Sequence, residues 1–392
     1  MAELAAHALV DRLRVVAGAP EPLERMRRVS QARWLSKLTR GRAATDLPEL
    51  LAALFSLCGE QHRITAQRAL DAAQRMPRDA DLMKREAQEK RYLRATCLRD
   101  QLLRISLDWP RLVPANDGHI RPGELLGLPG VPRLTGPGLT PAERATALTH
   151  ALQRLVAFAE QRVLGMSAEE WSRRYAACSV AGVQTWAYAM QHSLEAAAWL
   201  ARVQAQASSL ALRLPRAAIL DDPGHGLPLL AAALRSDPRF AEHPALCGAS
   251  LESGSFNRAA WPVEQRTGEH AFGLLAARVV DVVQLCRSQP WLESGSLPLG
   301  PGEAIAYTEL ARGLLVHWVQ LSLPELRAGR AVVEDYRILT PTDFALHPQG
   351  ALATRLRQPD LTPSTVQLLV AAFDPCLEVE LATDATTRPR DA

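Results

Sequence analysis

The side chains best suited to metal or redox chemistry are six cysteines: Cys58, Cys97, Cys178, Cys247, Cys286 and Cys376. The nearest pairs stand 39 positions apart (Cys58 to Cys97, Cys247 to Cys286), so the chain has no C-x-x-C pair. That spacing excludes an ordinary zinc finger, a ferredoxin cluster and a thioredoxin-type redox site. So few cysteines in 392 residues do not suit a disulfide framework either. A lone cysteine in a helical protein is more often a small core residue than a ligand. Cys97, Cys178 and Cys286 are read that way. Cys247, in Leu246-Cys247-Gly248, stays open as a candidate because it lies just before a Glu252–Arg258 block. Cys58 and Cys376 stand apart, because each sits inside a short motif.

Five motif blocks follow one another along the chain. Gly41-Arg42 precedes Leu57-Cys58-Gly59, and Glu252-Ser253-Gly254-Ser255-Phe256-Asn257-Arg258 comes next. Thr308-Glu309-Leu310-Ala311-Arg312-Gly313-Leu314-Leu315-Val316-His317-Trp318 follows, then Tyr336-Arg337-Ile338-Leu339-Thr340-Pro341-Thr342-Asp343-Phe344. Ala372-Phe373-Asp374-Pro375-Cys376 closes the series. In this order the blocks resemble the large subunit of nickel–iron hydrogenases. There the pattern is G-R…I-C-G-x-C, E-T-G-x-x-A-R, E-A-P-R-G-x-L-x-H, P-[ST]-x-W and a terminal D-P-C-x-x-C. Each block alone is weak; the ordered set, from about Gly41 to Cys376, is specific.

The departures point to a particular branch. Gln61 stands where the second N-terminal cysteine belongs and Val379 where the second C-terminal one belongs. Ala382 replaces the histidine that marks the proteolytic cleavage site of large subunits. This combination resembles the HupK/HoxV family, large-subunit relatives that help to assemble the hydrogenase cofactor. A nickel–iron centre needs four thiolates, two of them bridging. The resemblance makes Cys58 and Cys376 counterparts of the nickel-terminal ligands and leaves no bridges, so nickel is not expected. Two convergent thiolates can still hold one soft iron carrying cyanide and carbon monoxide, an Fe(CN)2(CO) unit held as transient cargo. The resemblance puts Arg312 and Thr342 next to the cyanides, where an arginine fork and a hydroxyl supply hydrogen-bond donors. Pro341 and Ala311 flank them, Ala311 in place of the family's proline, and Phe344 replaces its tryptophan.

His62 is a candidate extra ligand, although a histidine beside a helix start is more often a polar surface group. Glu252 and Glu309 are read as loop ties to arginines, His317-Trp318 as strand packing, and Arg25, Arg27 and Arg28 as a solvated face. The implied function is a non-catalytic assembly scaffold. Its implied partners are a small chaperone of the HypC/HoxL type, the hydrogenase large-subunit precursor and other maturation proteins. A metal-free mimic that occupies a chaperone is the alternative, and a reduced hydrogenase-like redox enzyme ranks below both.

The elements that must position these residues are mainly helical, since apolar spacings of three and four dominate. Helical blocks are expected over about 44–75, 79–109, 181–205 and 268–288. Thr140-Pro141-Ala142-Glu143 reads as a capped helix start, and Ser167-Ala168-Glu169-Glu170 as a weaker one. Residues 110–141 read as a long irregular connection, 236–266 as loop and 383–392 as a polar tail. Apolar or β-favouring runs predict a small antiparallel sheet from about 303 to 340, and a last helix follows Thr362-Pro363-Ser364. The expected fold is thus a mainly helical α+β domain spanning 1–392, a trimmed relative of the large subunit, with both chain ends in one core. Charge adds little: 45 basic against 42 acidic residues leave +3, too small to argue for a nucleic-acid partner. No targeting segment and no apolar stretch of about 20 residues appears, so no membrane role is expected and the location is read as cytoplasmic.

Overall fold

The computed structural model describes residues 12–26, 31–55, 58–113, 127–136, 138–175, 179–216, 218–246, 248–259, 269–359 and 361–382. Strands β1 (Arg12–Val16) and β2 (Leu23–Met26) lead to helices α1 (Gln31–Thr39), α2 (Leu47–Leu54) and α3 (Gly59–Ala73). Helix α4 (Ala80–Leu103) runs on through a π-helical stretch, Arg104–Asp108, into a turn at Trp109–Leu112. Five more helices follow: α5 (Pro141–Phe158), α6 (Ala168–Arg174), α7 (Val180–Met190), α8 (Glu195–Ser209) and α9 (Pro223–Ser236). The Thr140 start has the expected reciprocal cap, with Glu143 N donating to Thr140 Oγ1 at 3.3 Å and Thr140 N to Glu143 Oε2 at 2.8 Å.

Helix α10 (Ala271–Cys286) is the centre of the helical layer, and every one of its residues except Gln284 is buried. A helix that is apolar on all sides must be covered on all sides, and α4, α6, α7, α8 and the last helix, α13 (Pro363–Phe373), pack round it. Its two charges, Arg278 and Asp281, are therefore buried and need partners.

Strands β3 (Ser294–Gly300), β4 (Glu303–Leu310), β5 (Gly313–Leu321) and β6 (Val333–Leu339) form an antiparallel sheet in that order. Helix α3 covers one face and α9 the other. Covering on both sides explains why β4 and β5 read as continuous apolar runs rather than as alternation. The sheet begins earlier than the expected 303, because β3 is an edge strand whose Ser, Gly and Pro disguise it as loop. Two short helices, α11 (Pro341–Ala345) and α12 (Ala351–Leu356), precede α13.

A second sheet joins the two ends of the chain. Strand β7 (Glu378–Ala382) runs parallel to β1, with Leu13 opposite Val379, and β2 lies on the far side of β1. Leu13 and Val15 enter the main core, so the two ends do share it. Other readings need correction. The 181–205 pattern is two helices, α7 and α8, separated by a turn at 191–194. The 236–266 stretch contains a short ladder, Ala245–Leu246 against Ala249–Ser250, and a helical turn, Ser255–Arg258. Cys178, Cys247, part of the 110–141 connection (114–126 and 137) and the 383–392 tail lie outside the described residues. Among the described residues no helix is long and apolar enough to cross a membrane.

Candidate metal-binding site

Cys58 occupies the N-cap position of α3. Its neighbour has to be glycine: a Cβ on Gly59 would lie 2.2 Å from Ala52 O, so α2 and α3 close on one another only without it. Cys376 lies 318 positions later, in the bend between α13 and β7. Asp374, just before Pro375, ends α13 in the left-handed region at φ +50. Cys376 N donates to Thr342 Oγ1 at 3.3 Å, which leaves the threonine's own hydrogen for another acceptor. Thr342 is placed by α11, which starts with Pro341 and carries a Thr340–Asp343 capping box. Arg25 Nη1 donates to Asp343 Oδ1 at 2.8 Å, so β2 braces this helix. Arg25 is therefore an anchor and not part of a solvated face; Arg27 and Arg28 lie outside the described residues.

Arg312 sits with Ala311 in the tight turn between β4 and β5. Gly313, at φ +135, lets that turn press against the Ser253 loop, where a Cβ would meet Ser253 Oγ at 2.7 Å. Gln101 Nε2 donates to Ala311 O at 3.0 Å and fixes the turn from the other side. Arg312 Nε lies 3.3 Å from Asp374 Oδ2 and its Nη1 4.0 Å from Asp100 Oδ2. Neither contact is aligned as a hydrogen bond, and Nε is buried without an acceptor. Asp374 also faces Arg104, from the π-helical stretch, and Arg278 at 3.2 Å. On its outer side Arg312 borders a solvent-open cleft shared with Pro341, Phe344, Phe373 and Arg278.

The electrostatics tie these groups together. Burial pushes the Cys58 thiol up to about 12; the charge of Cys376 adds to this, Arg312 opposes it and Asp100 reinforces it. Cys376 is raised by burial too, again with Arg312 opposing. Burial alone would lower Arg312, but Asp374, Cys376, Asp100 and Cys58 together hold it above its ordinary value. Two thiols, one guanidinium and one threonine hydroxyl thus share a site built from α3, the β4–β5 turn, α11 and the segment after α13. Among the described residues, no three His, Cys, Asp or Glu side chains are grouped to hold a metal ion. A metal here would depend on the two sulfurs and on ligands it brings with it.

His62 is not a surface group. It is 1% exposed, stacked on Phe55 at 3.7 Å, and its Nδ1 lies 3.0 Å from His317 Nε2. His317 therefore does more than pack. Glu309 pairs with Arg258 at 3.2 Å, as expected of a loop tie. Glu252 pairs with no arginine among the described residues; it accepts from Gly254 N at 2.7 Å and Asn257 N at 2.9 Å and ties its own loop. Cys97 and Cys286 are buried in the main core. Sequence reasoning assigned no role to Asp374, Asp100, Arg104 or Arg278. The available signal was Arg278 and Asp281, two charges inside the otherwise apolar run 271–286.

No protein-family model matches the chain. It is 31% identical over 376 residues to the hydrogenase expression/formation protein HoxV of Cupriavidus necator, covering 87% of this chain and 88% of that one. The chain belongs to the HoxV/HupK family of hydrogenase expression/formation proteins. HupK of Azotobacter vinelandii is 27% identical over 354 residues, covering 88% of this chain and 90% of the relative. Among solved structures, the Ni-Fe-Se hydrogenase of Desulfovibrio vulgaris Hildenborough overlaps 88% of this chain and 92% of that one, with a TM-score of 0.46 and 14% identity. That likeness is too loose to place side chains, and the HoxV/HupK assignment stands on the relatives.

Proposed function

We propose that the protein is a non-catalytic scaffold in hydrogenase maturation that holds an Fe(CN)2(CO) unit between Cys58 and Cys376 and passes it to the large-subunit precursor. One observation carries the reading: the Arg312 guanidinium acts on both thiols, yet makes no hydrogen bond among the described residues. A buried donor left without an acceptor costs about 1–3 kcal/mol. A cyanide nitrogen on a sulfur-held iron would supply the acceptor, and the free hydrogen of Thr342 would supply a second donor. Two sulfur bonds in place of four suit a carrier that has to release what it holds. The unit would come from a small chaperone of the HypC/HoxL type, in the cytoplasm, with other maturation proteins in attendance and without nickel.

The second reading, a metal-free mimic that occupies the chaperone, is favoured by the raised Cys58 and Cys376 thiols. At neutral pH Cys58, pushed up to about 12, keeps its proton until a metal displaces it. Anaerobic purification from cells making the maturation machinery separates the readings. Infrared bands of CO and CN stretching with iron and without nickel are the expected result. Bands with stoichiometric nickel and hydrogen oxidation would make the protein an enzyme. An intact complex with neither bands nor metal would leave the mimic.

A further inference from the structure

Three buried polar side chains stand in a row between α3 and the sheet. His62 Nδ1 lies 3.0 Å from His317 Nε2, and His317 Nδ1 lies 2.7 Å from Tyr336 Oη. All three are essentially sealed, at 1%, 0% and 0% exposure. Each comes from a different element. His62 is one turn into α3, the helix capped by Cys58. His317 is on β5, the strand that leaves the Arg312 turn. Tyr336 is on β6, the strand that leads into Thr340 and Thr342. The row therefore joins the helix capped by Cys58 to the strands that adjoin Arg312 and Thr342. Thr65 Oγ1, bonded to Thr308 Oγ1 at 2.9 Å one turn further along α3, adds a second tie to the sheet.

The hydrogens of this row can be placed by exclusion. Tyr336 Oη has no other hydrogen-bond partner among the described residues, and a sealed hydroxyl hydrogen must be donated. It goes to His317 Nδ1. His317 then carries its hydrogen on Nε2 and donates it to His62 Nδ1, and His62 in turn carries its hydrogen on Nε2. A neutral imidazole with Nδ1 accepting and Nε2 protonated has no lone pair left for a metal. We infer that Tyr336, His317 and His62 form a polarised hydrogen-bond chain that makes His62 a fixed N–H donor instead of a ligand, and that positions Cys58 against Arg312 and Thr342. This deepens the scaffold reading and rests on it only for the purpose of the positioning.

The test uses cargo-free full-length protein. Two-bond nitrogen–hydrogen correlation spectra of histidine-labelled wild type should show Nε2–H tautomers for both His62 and His317. A hydrogen on Nδ1 of either ring overturns the chain, and this measurement needs no variant to fold. The positioning role is read from alkylation of Cys58 relative to Cys376 by N-ethylmaleimide. Tyr336→Phe and His62→Leu should shift that ratio about 2- to 10-fold, the equivalent of one hydrogen bond. His62→Asn, which keeps an acceptor near the Nδ1 position, should restore it. A purely structural role would lower the melting temperature and leave the ratio alone. An unchanged ratio in variants with wild-type circular dichroism overturns the positioning. Both measurements are made without iron, so absence of CO and CN bands would sink the scaffold reading and leave this result intact.

Discussion

Asp281 and Asp374 are both buried carboxylates facing arginines, one in the middle of the central helix and one at the left-handed residue before Pro375. Asp281 accepts from Arg258 Nε at 2.9 Å and Nη2 at 2.8 Å, from Gln101 Nε2 at 2.7 Å, from Ser255 Oγ at 3.2 Å and from Trp291 Nε1 at 2.5 Å. Arg258, the other half of the pair, also reaches Glu309 and Leu310 O at 3.2 Å each. Both oxygens of Asp281 and all three nitrogens of Arg258 have partners. Asp374 gathers three guanidinium groups, Arg104, Arg278 and Arg312, yet its Oδ1 and Arg312 Nε are left without aligned hydrogen bonds. The first cluster is saturated and fastens α4, α10 and the Glu252–Arg258 block together. The second keeps donor capacity in reserve beside two thiols. Its guanidinium can turn to a ligand without breaking any protein hydrogen bond, and that difference separates a structural ion pair from a binding one.

The contrast can be broken from the saturated side first. Asp281→Ala takes from Arg258, 3% exposed, its two-pronged partner and leaves it only the single contact to Glu309, which should cost about 3–5 kcal/mol. Urea unfolding should show a markedly lower midpoint or loss of the folded protein. A mild effect would mean that Glu309 alone can hold Arg258. On the reserve side, Arg312→Ala should leave the urea midpoint nearly unchanged while weakening retention of the Fe(CN)2(CO) unit by about 1.5–3 kcal/mol, roughly 10- to 100-fold. Iron analysis after gel filtration reads this, and equal losses of stability in the two variants would erase the distinction.

Acid sharpens it next. Burial lowers His62 to about 3 and His317 well below its ordinary value, with His62 adding to the effect on His317. A histidine lowered in the folded state stabilises fully above its ordinary value of about 6.5 and loses that contribution as pH falls towards the folded value, at about 1.4 kcal/mol per unit and histidine. Asp281 is also below its ordinary value: burial would raise it, but Arg258 more than compensates. Its contribution is present above about 4 and is lost only at lower pH. Between pH 6.5 and 4.5 the two histidines should thus lose stability, against an opposite contribution from Glu89, Glu252 and Glu309, which burial raises, and His62→Leu should remove its part of that loss. The smallest effect is expected of Thr342→Val, which removes one neutral donor and should weaken cargo retention by about 1 kcal/mol. The CN stretching bands would shift with it; a loss of iron affinity beyond about 20-fold, roughly 1.8 kcal/mol, would mean that Thr342 does more than donate.

Much of the fold is legible in local signals. Thr140 with Glu143 marks α5, Ser167 marks α6, and the apolar runs mark β4 and β5, because caps and covered strands are written in neighbouring residues. Strands β3, β1 and β7 were not legible. Ser294–Gly300 has the composition of a loop, and β1 and β7 become strands only by pairing with each other, Leu13 beside Val379. At the site, the motifs named Cys58, Arg312, Thr342 and Cys376 but not the carboxylates and arginines round Asp374, since charges are paired by packing and not by spacing. His62 shows the limit most plainly. As a sequence feature it looked like a surface residue or a ligand, and both readings lacked its partner, His317, which is 255 positions away.

The sequence by itself determined the order of the motif blocks, the loss of one cysteine from each pair at Gln61 and Val379, and the helical character of most of the chain. These depend on residue identity and short-range periodicity, which survive without coordinates. Only the tertiary structure decided that Arg25 braces Asp343, that Arg312 keeps unused donors beside two thiols, and that His62 is held by a sheet strand. Each depends on what burial removes from water, and a group loses its water only when distant segments close over it.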